Sequence, residues 1–147
     1  GGEIGLFAEI AAQASPYGPE TVHCLKVMGA SIGTANQLIS DCSDLCLQSV
    51  TSDLASGKLT LPVVRLIQNS TSDEQVILQR LLRAAENDVN AREEVKALAI
   101  KSGALTDTNK VIKGYKYHAL EVLENTGLSP EKTHFIREII GKNCSLA

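Results

Sequence analysis

Two aspartates, Asp41 and Asp44, stand one helical turn apart in the stretch Asn36-Gln37-Leu38-Ile39-Ser40-Asp41-Cys42-Ser43-Asp44-Leu45. At about 100° per residue with Asp41 at zero, Gln37 falls at about 320°, Asp44 at about 300° and Gln48 at about 340°. The four polar heads therefore share one arc, while Ala35, Leu38, Ile39, Cys42, Leu45 and Cys46 fill an apolar one. Carboxylates at i and i+3 suit a hard cation such as Mg²⁺, which keeps several waters and is bridged to substrate phosphates rather than caged by protein alone. An ordinary solvated helix face with two acids meets the same spacing.

Other residues with chemical potential read differently. Cys42 and Cys46 lie on the apolar arc, and no paired Cys or His motif sits at zinc-finger spacing elsewhere, so they are expected as core thiols. Cys24 and Cys144 complete the set, and without a secretory signal all four are expected reduced. His23, His118 and His134 are isolated from one another. His118 borders a face of Val111, Tyr115, Ala119 and Val122, which predicts a packed or half-exposed histidine rather than a catalytic base. No nucleophile has a neighbouring base, and no P-loop or Rossmann glycine pattern occurs. Gly29 and Gly33, spaced i and i+4, are suited to the close approach of a second helix.

The elements that must carry these residues are helices throughout. Apolar residues recur at helical spacing, and alternating β-branched runs bounded by tight hairpin turns are missing, so the class is all-α. The spacing predicts helices over about residues 3–14, 19–47, 60–68, 71 onward, 91–101, 106–125 and 130–142. Thr60 is the expected cap of the third, with Pro62 in its first turn, and Thr71 with Glu74 forms a predicted capping box for the fourth. The 147 residues, 44% hydrophobic and 3% aromatic, suffice for one domain or part of one. Basic residues number 14 against 17 acids and are scattered, which disfavours nucleic acid as a partner. No uncharged apolar run is long enough for a membrane span, and a cytoplasmic protein is expected. The opening Gly1-Gly2-Glu3 in place of Met reads as a cut or processing point inside a larger protein.

Residues 31–45, from Ser31-Ile32-Gly33-Thr34-Ala35-Asn36-Gln37 to Asp41-Cys42-Ser43-Asp44-Leu45, are followed by Ser52-Asp53-Leu54-Ala55-Ser56-Gly57-Lys58-Leu59-Thr60-Leu61-Pro62. Together they resemble the second aspartate-rich region of the trans-isoprenyl diphosphate synthases, the polyprenyl synthetase family. In that family an IGxAFQxxDDxxD helix precedes a (G/S)DLxxGKxTLP segment. Lys101-Ser102-Gly103-Ala104-Leu105 and Tyr117-His118-Ala119-Leu120-Glu121-Val122-Leu123 resemble the family's closing helices. The resemblance runs through the whole chain and matches the family's C-terminal half.

It implies the C-terminal half of an isoprenoid-synthase-type helical bundle. Residues 1–147 would form a partial polyprenyl synthetase domain, with the first aspartate-rich motif upstream of Gly1. It also implies a prenyltransferase that passes an allylic prenyl group from its diphosphate to isopentenyl diphosphate. Asp41 and Asp44 would be Mg²⁺ ligands, Gln37 a neighbour of the reacting centre, and Lys58 a member of the GKxTLP segment. A homodimer or heterodimer of prenyl-synthase-fold subunits is expected by the same resemblance. Because the metal clamp takes carboxylates from two facing helices, the isolated chain is expected to be inactive.

Departures from the family pattern define two alternatives. Ser40 replaces the first aspartate of the second motif, Asn36 replaces an aromatic residue, and Gly2-Glu3 aligns with a Lys-Thr pair. The loop from Leu45 to Ser52 is short and lacks a diphosphate-binding lysine. These features resemble the divergent branch that isoprenylates competence pheromone peptides, with a peptide as acceptor. They also suit a non-catalytic partner or pseudoenzyme subunit of a prenyl synthase.

Overall fold

The computed structural model describes residues 2–13, 16–46 and 53–143. Among them are seven helices and no strand: α1 (Gly2–Gln13), α2 (Pro19–Cys46), α3 (Leu61–Asn69), α4 (Ser72–Ala84), α5 (Val89–Lys101), α6 (Ala104–Glu124) and α7 (Pro130–Asn143). The all-α expectation holds, with helix ends within about two residues of those expected. The larger shifts, two residues each, are at the starts of α5 and α6, and α5 begins at Val89 because the Asp88 side chain accepts the Asn90 N–H at 2.8 Å. Gln48 and Cys144 lie outside the described residues.

The chain divides into two compact units, Gly1–Ile39 with Val111–Ala147, and Ser40–Lys110. In the first, α1 packs on α2 through small residues. A Cβ on Gly29 would stand 2.9 Å from the Ile4 carbonyl oxygen and 3.1 Å from the Gly5 Cα, so the two backbones meet where neither residue has a side chain. Gly29 thus has the expected helix-approach role, and Gly33 is buried one turn on. The pair Lys26–Glu9, at 2.8 Å, closes the rim of the contact. Met28, Ala119, Leu123 and Ile140 form the core of this unit, with Leu25, Ile32 and Ile136 packed around them. The buried stripe of α6 runs through Thr108, Ile112, Ala119 and Leu123. It is displaced from the expected Val111, Tyr115, Ala119 and Val122, since Tyr115 and His118 stand exposed with their polar ends in water. On α1 the opposite side is apolar and open: Leu6, Phe7 and Ile10 are all more than half exposed, Phe7 at 70%.

In the second unit α3, α4 and α5 surround a core of Val63, Leu66, Leu78, Val95 and Ala99, joined by Leu45 from the end of α2 and by Leu54. Thr71 and Glu74 make the expected capping box at α4: the Thr71 hydroxyl accepts the Glu74 N–H at 3.4 Å, and Glu74 accepts the Thr71 N–H at 2.8 Å. Thr60 is the N-cap of α3 in position, but its side chain makes no capping bond. No helix of the described residues is long and apolar enough to cross a membrane.

Candidate functional site

The acidic pair stands on the last two turns of α2, and the chain returns to it through a tight turn at residues 53–57. Within this turn the Lys58 N–H donates to the Asp53 carbonyl at 2.9 Å, and the Gly57 N–H donates to the Leu54 carbonyl at 3.1 Å. Gly57 has φ +68°. These features make a Schellman closure, for which a left-handed residue is required and glycine is the least strained choice. Leu54 is buried in the same cluster as Leu45, which pins the turn beneath the end of α2.

This closure gives Asp53 two contacts. Its backbone N–H donates to Asp44 Oδ2 at 2.6 Å, a short bond of the charge-assisted kind. Its side chain accepts from Lys58 Nζ at 3.2 Å on each oxygen. The hydrogen bond to Asp53 raises the Lys58 pKa above the ordinary lysine value; desolvation opposes this, and the negative charges of Asp53, Asp41 and Asp44 add to it. Lys58 therefore stays an ammonium in the field of three carboxylates.

Asp41 is only 8% exposed, so for this residue the picture of an ordinary solvated helix face does not apply. Asp44 is half-buried, whereas Gln37, one turn earlier on α2, is exposed, as is Ser40. The structure thus gathers Asp41, Asp44 and Lys58 around one turn, with Gln37 preceding them along the helix. Asp53 had no expected role. Its signal in the sequence is its place four residues before a glycine and five before a lysine, the spacing that a Schellman turn closes onto its own first residue.

Cys42 is buried, and its pKa is pushed up to about 11 by burial first, then by the charges of Cys46 and Asp41. It is a neutral core thiol at pH 7, as the apolar arc implied, and not a thiolate ligand. Among the described residues no three His, Cys, Asp or Glu side chains gather as a metal cage. A donor set of two carboxylates fits Mg²⁺ in particular, since this ion takes one or two protein carboxylates and completes its shell with water and phosphate oxygens.

No family model matches the sequence. The chain is 29% identical over 122 residues to an all-trans-nonaprenyl-diphosphate synthase (geranyl-diphosphate specific) of Rhodobacter capsulatus, a match covering 79% of this chain and 36% of that protein. A terpene synthase of Matsumurasca onukii is also 29% identical, over 105 residues, covering 67% of this chain and 34% of the relative. Among solved structures, geranylgeranyl pyrophosphate synthase from Corynebacterium glutamicum, complexed with calcium and isoprenyl diphosphate, superposes with a TM-score of 0.81 at 23% identity. That superposition covers 96% of this chain and 46% of the neighbour. The chain thus spans about a third of the length of the curated relatives it matches and just under half of the solved structure.

Proposed function

We propose that this chain, similar in sequence to a nonaprenyl-diphosphate synthase and in fold to a geranylgeranyl pyrophosphate synthase, is the C-terminal part of a Mg²⁺-dependent prenyltransferase. Its substrates are an allylic prenyl diphosphate and isopentenyl diphosphate. The observation that carries this reading is the acidic pair Asp41 and Asp44 at the end of a long helix, with a lysine-bearing turn folded back against it, in a chain with such relatives. Asp41 and Asp44 hold Mg²⁺ through oxygen. Mg²⁺ held there would supply positive charge to a departing diphosphate and so lower the barrier to allylic ionisation. Lys58 keeps a second positive charge beside the carboxylates. Gln37, one turn earlier on α2, is by the family resemblance a neighbour of the reacting centre.

Residues 1–147 then form a partial polyprenyl synthetase domain, completed by a segment that carries the facing aspartate-rich motif. The reading also gives a cytoplasmic enzyme built from two prenyl-synthase-fold subunits. The test is steady-state turnover of allylic diphosphate by the complete protein at varied Mg²⁺. Asp41→Asn and Asp44→Asn should each lower the Mg²⁺-dependent rate by at least the about 10- to 100-fold that loss of an outer-shell partner costs. Unchanged kinetics in both variants would overturn the assignment.

A second reading, a non-catalytic subunit of a prenyl synthase, is favoured by one observation. Ser40, exposed on α2, stands where the family pattern has an acid. A complete protein that binds a catalytic prenyl synthase but shows no turnover of its own would decide for it.

A further inference from the structure

Asp53 donates its backbone N–H to Asp44 Oδ2 across nine residues of chain, and the turn it opens is fixed at both ends. Leu54 is 6% exposed within the core cluster that holds Leu45, and the Gly57 closure returns the chain so that Lys58 grips the Asp53 carboxylate. The amide therefore reaches Asp44 from an anchored backbone, not from a mobile side chain. We propose that Asp53 is a positioning residue: its N–H holds the Asp44 carboxylate by Oδ2, so that a cation meets Asp44 through Oδ1 alone and the site selects Mg²⁺ over Ca²⁺. This deepens the reading that Asp41 and Asp44 receive Mg²⁺, and rests on it.

The selectivity follows from coordination geometry. Ca²⁺ accepts carboxylates through both oxygens in shells of six to eight ligands, whereas Mg²⁺ demands near-ideal octahedral geometry and keeps several waters. A carboxylate with one oxygen committed to a backbone amide is a poor chelator and a good single-oxygen ligand. Lys58 has a different part. Its ammonium holds the Asp53 side chain, and its charge acts on either divalent ion alike, so it sets affinity without setting choice.

Two substitutions separate the contacts. Asp53→Ala removes the carboxylate and keeps the N–H. Asp53→Pro removes both, at the opening position of a turn, where proline is best tolerated. Mg²⁺ and Ca²⁺ are titrated separately, with inorganic pyrophosphate present, into the complete protein and each variant by calorimetry, and binding of neither ion by the unmodified protein overturns the metal reading and this inference with it. The expected result is an unchanged Mg²⁺/Ca²⁺ affinity ratio in Asp53→Ala and a shift of about tenfold toward Ca²⁺ in Asp53→Pro, the lower end of what loss of an outer-shell partner costs. Equal ratios in the two variants would overturn the positioning role while leaving Mg²⁺ binding intact. The double variant Asp41→Asn/Asp44→Asn should bind neither ion, and if it binds both like the unmodified protein, the metal reading falls and takes this inference with it. A proline variant that does not fold leaves a direct measurement in the unmodified protein. The Asp53 amide proton should resonate downfield by NMR and move back on Asp44→Ala, and an ordinary shift unaffected by that substitution overturns the inference.

Discussion

Asp41 has two nearest neighbours in sequence with opposite fates, Ser40 exposed and Cys42 buried, and the carboxylate is buried with the cysteine. Burial raises the cost of ionising a thiol next to a carboxylate, which is why the Cys42 pKa lies at about 11, well above that of an ordinary cysteine. Reaction with maleimide proceeds through the thiolate. At pH 7 Cys42 should therefore be the slowest to be labelled of Cys24, Cys42 and Cys46, as read by peptide mass spectrometry over a time course. Labelling of Cys42 at the rate of Cys24 would show that the end of α2 is open to solvent. Among residues, the shared arc of Asp41 and Asp44 was legible from helical spacing, while their candidacy as ligands came from the family resemblance. The contact of Asp53 with Asp44 was not legible, although the spacing of Asp53 to Gly57 and Lys58 marks the turn. That contact runs through a backbone amide, which every residue but proline carries, and depends on a reversal that only the positive φ of Gly57 makes explicit.

Among the elements, the glycines of the helices separate into two kinds. At Gly29 an added methyl group meets backbone at 2.9 and 3.1 Å, and at Gly114 in α6 it meets nothing within 4 Å. Alanine gains about 1 kcal/mol over glycine in a helix interior, while overpacking a tight contact costs about 1–3 kcal/mol. Gly114→Ala should accordingly stabilise the protein, and Gly29→Ala should destabilise it by up to about 2 kcal/mol, compared through their urea midpoints. A stabilising Gly29→Ala would mean that α1 does not approach α2 this closely. At α4 the Glu74 pKa is lowered, first by the backbone N–H of Thr71 and then by its hydroxyl. The folded value lies below the unfolded one, so the Glu74 carboxylate's share of the cap is complete above the unfolded carboxylate pKa and is lost as pH falls through the folded one. Thr71→Ala should cost about 1 kcal/mol near neutral pH, and less once acid has protonated Glu74, measured by thermal melts at each pH. Helices and caps were legible because their signals are local: Thr71 with Glu74, Pro130 opening α7, Gly127 after α6. The buried stripe of α6 was legible only in part. Val111 and Ile112 fit helical periodicity equally well, and tertiary packing chose Ile112.

For the molecule as a whole, the matched segments cover 36% and 34% of two curated relatives and 46% of a solved neighbour. A two-sided metal clamp needs acids from both sides, so the 147-residue chain by itself should show no turnover of allylic diphosphate with Mg²⁺. Release of pyrophosphate by the purified chain alone would refute this. The fold class and the family resemblance were legible because motif, spacing and order agree over the whole chain. The outer side of α1, with Leu6, Phe7 and Ile10 turned outward, gave no such signal, since an apolar helix face reads alike whether it is covered or bare. Its bareness governs how the chain behaves in a test tube. Sulfate and phosphate strengthen apolar association, so the chain should salt out early, adhere to hydrophobic resins, and stay dispersed best in dilute, low-salt buffer.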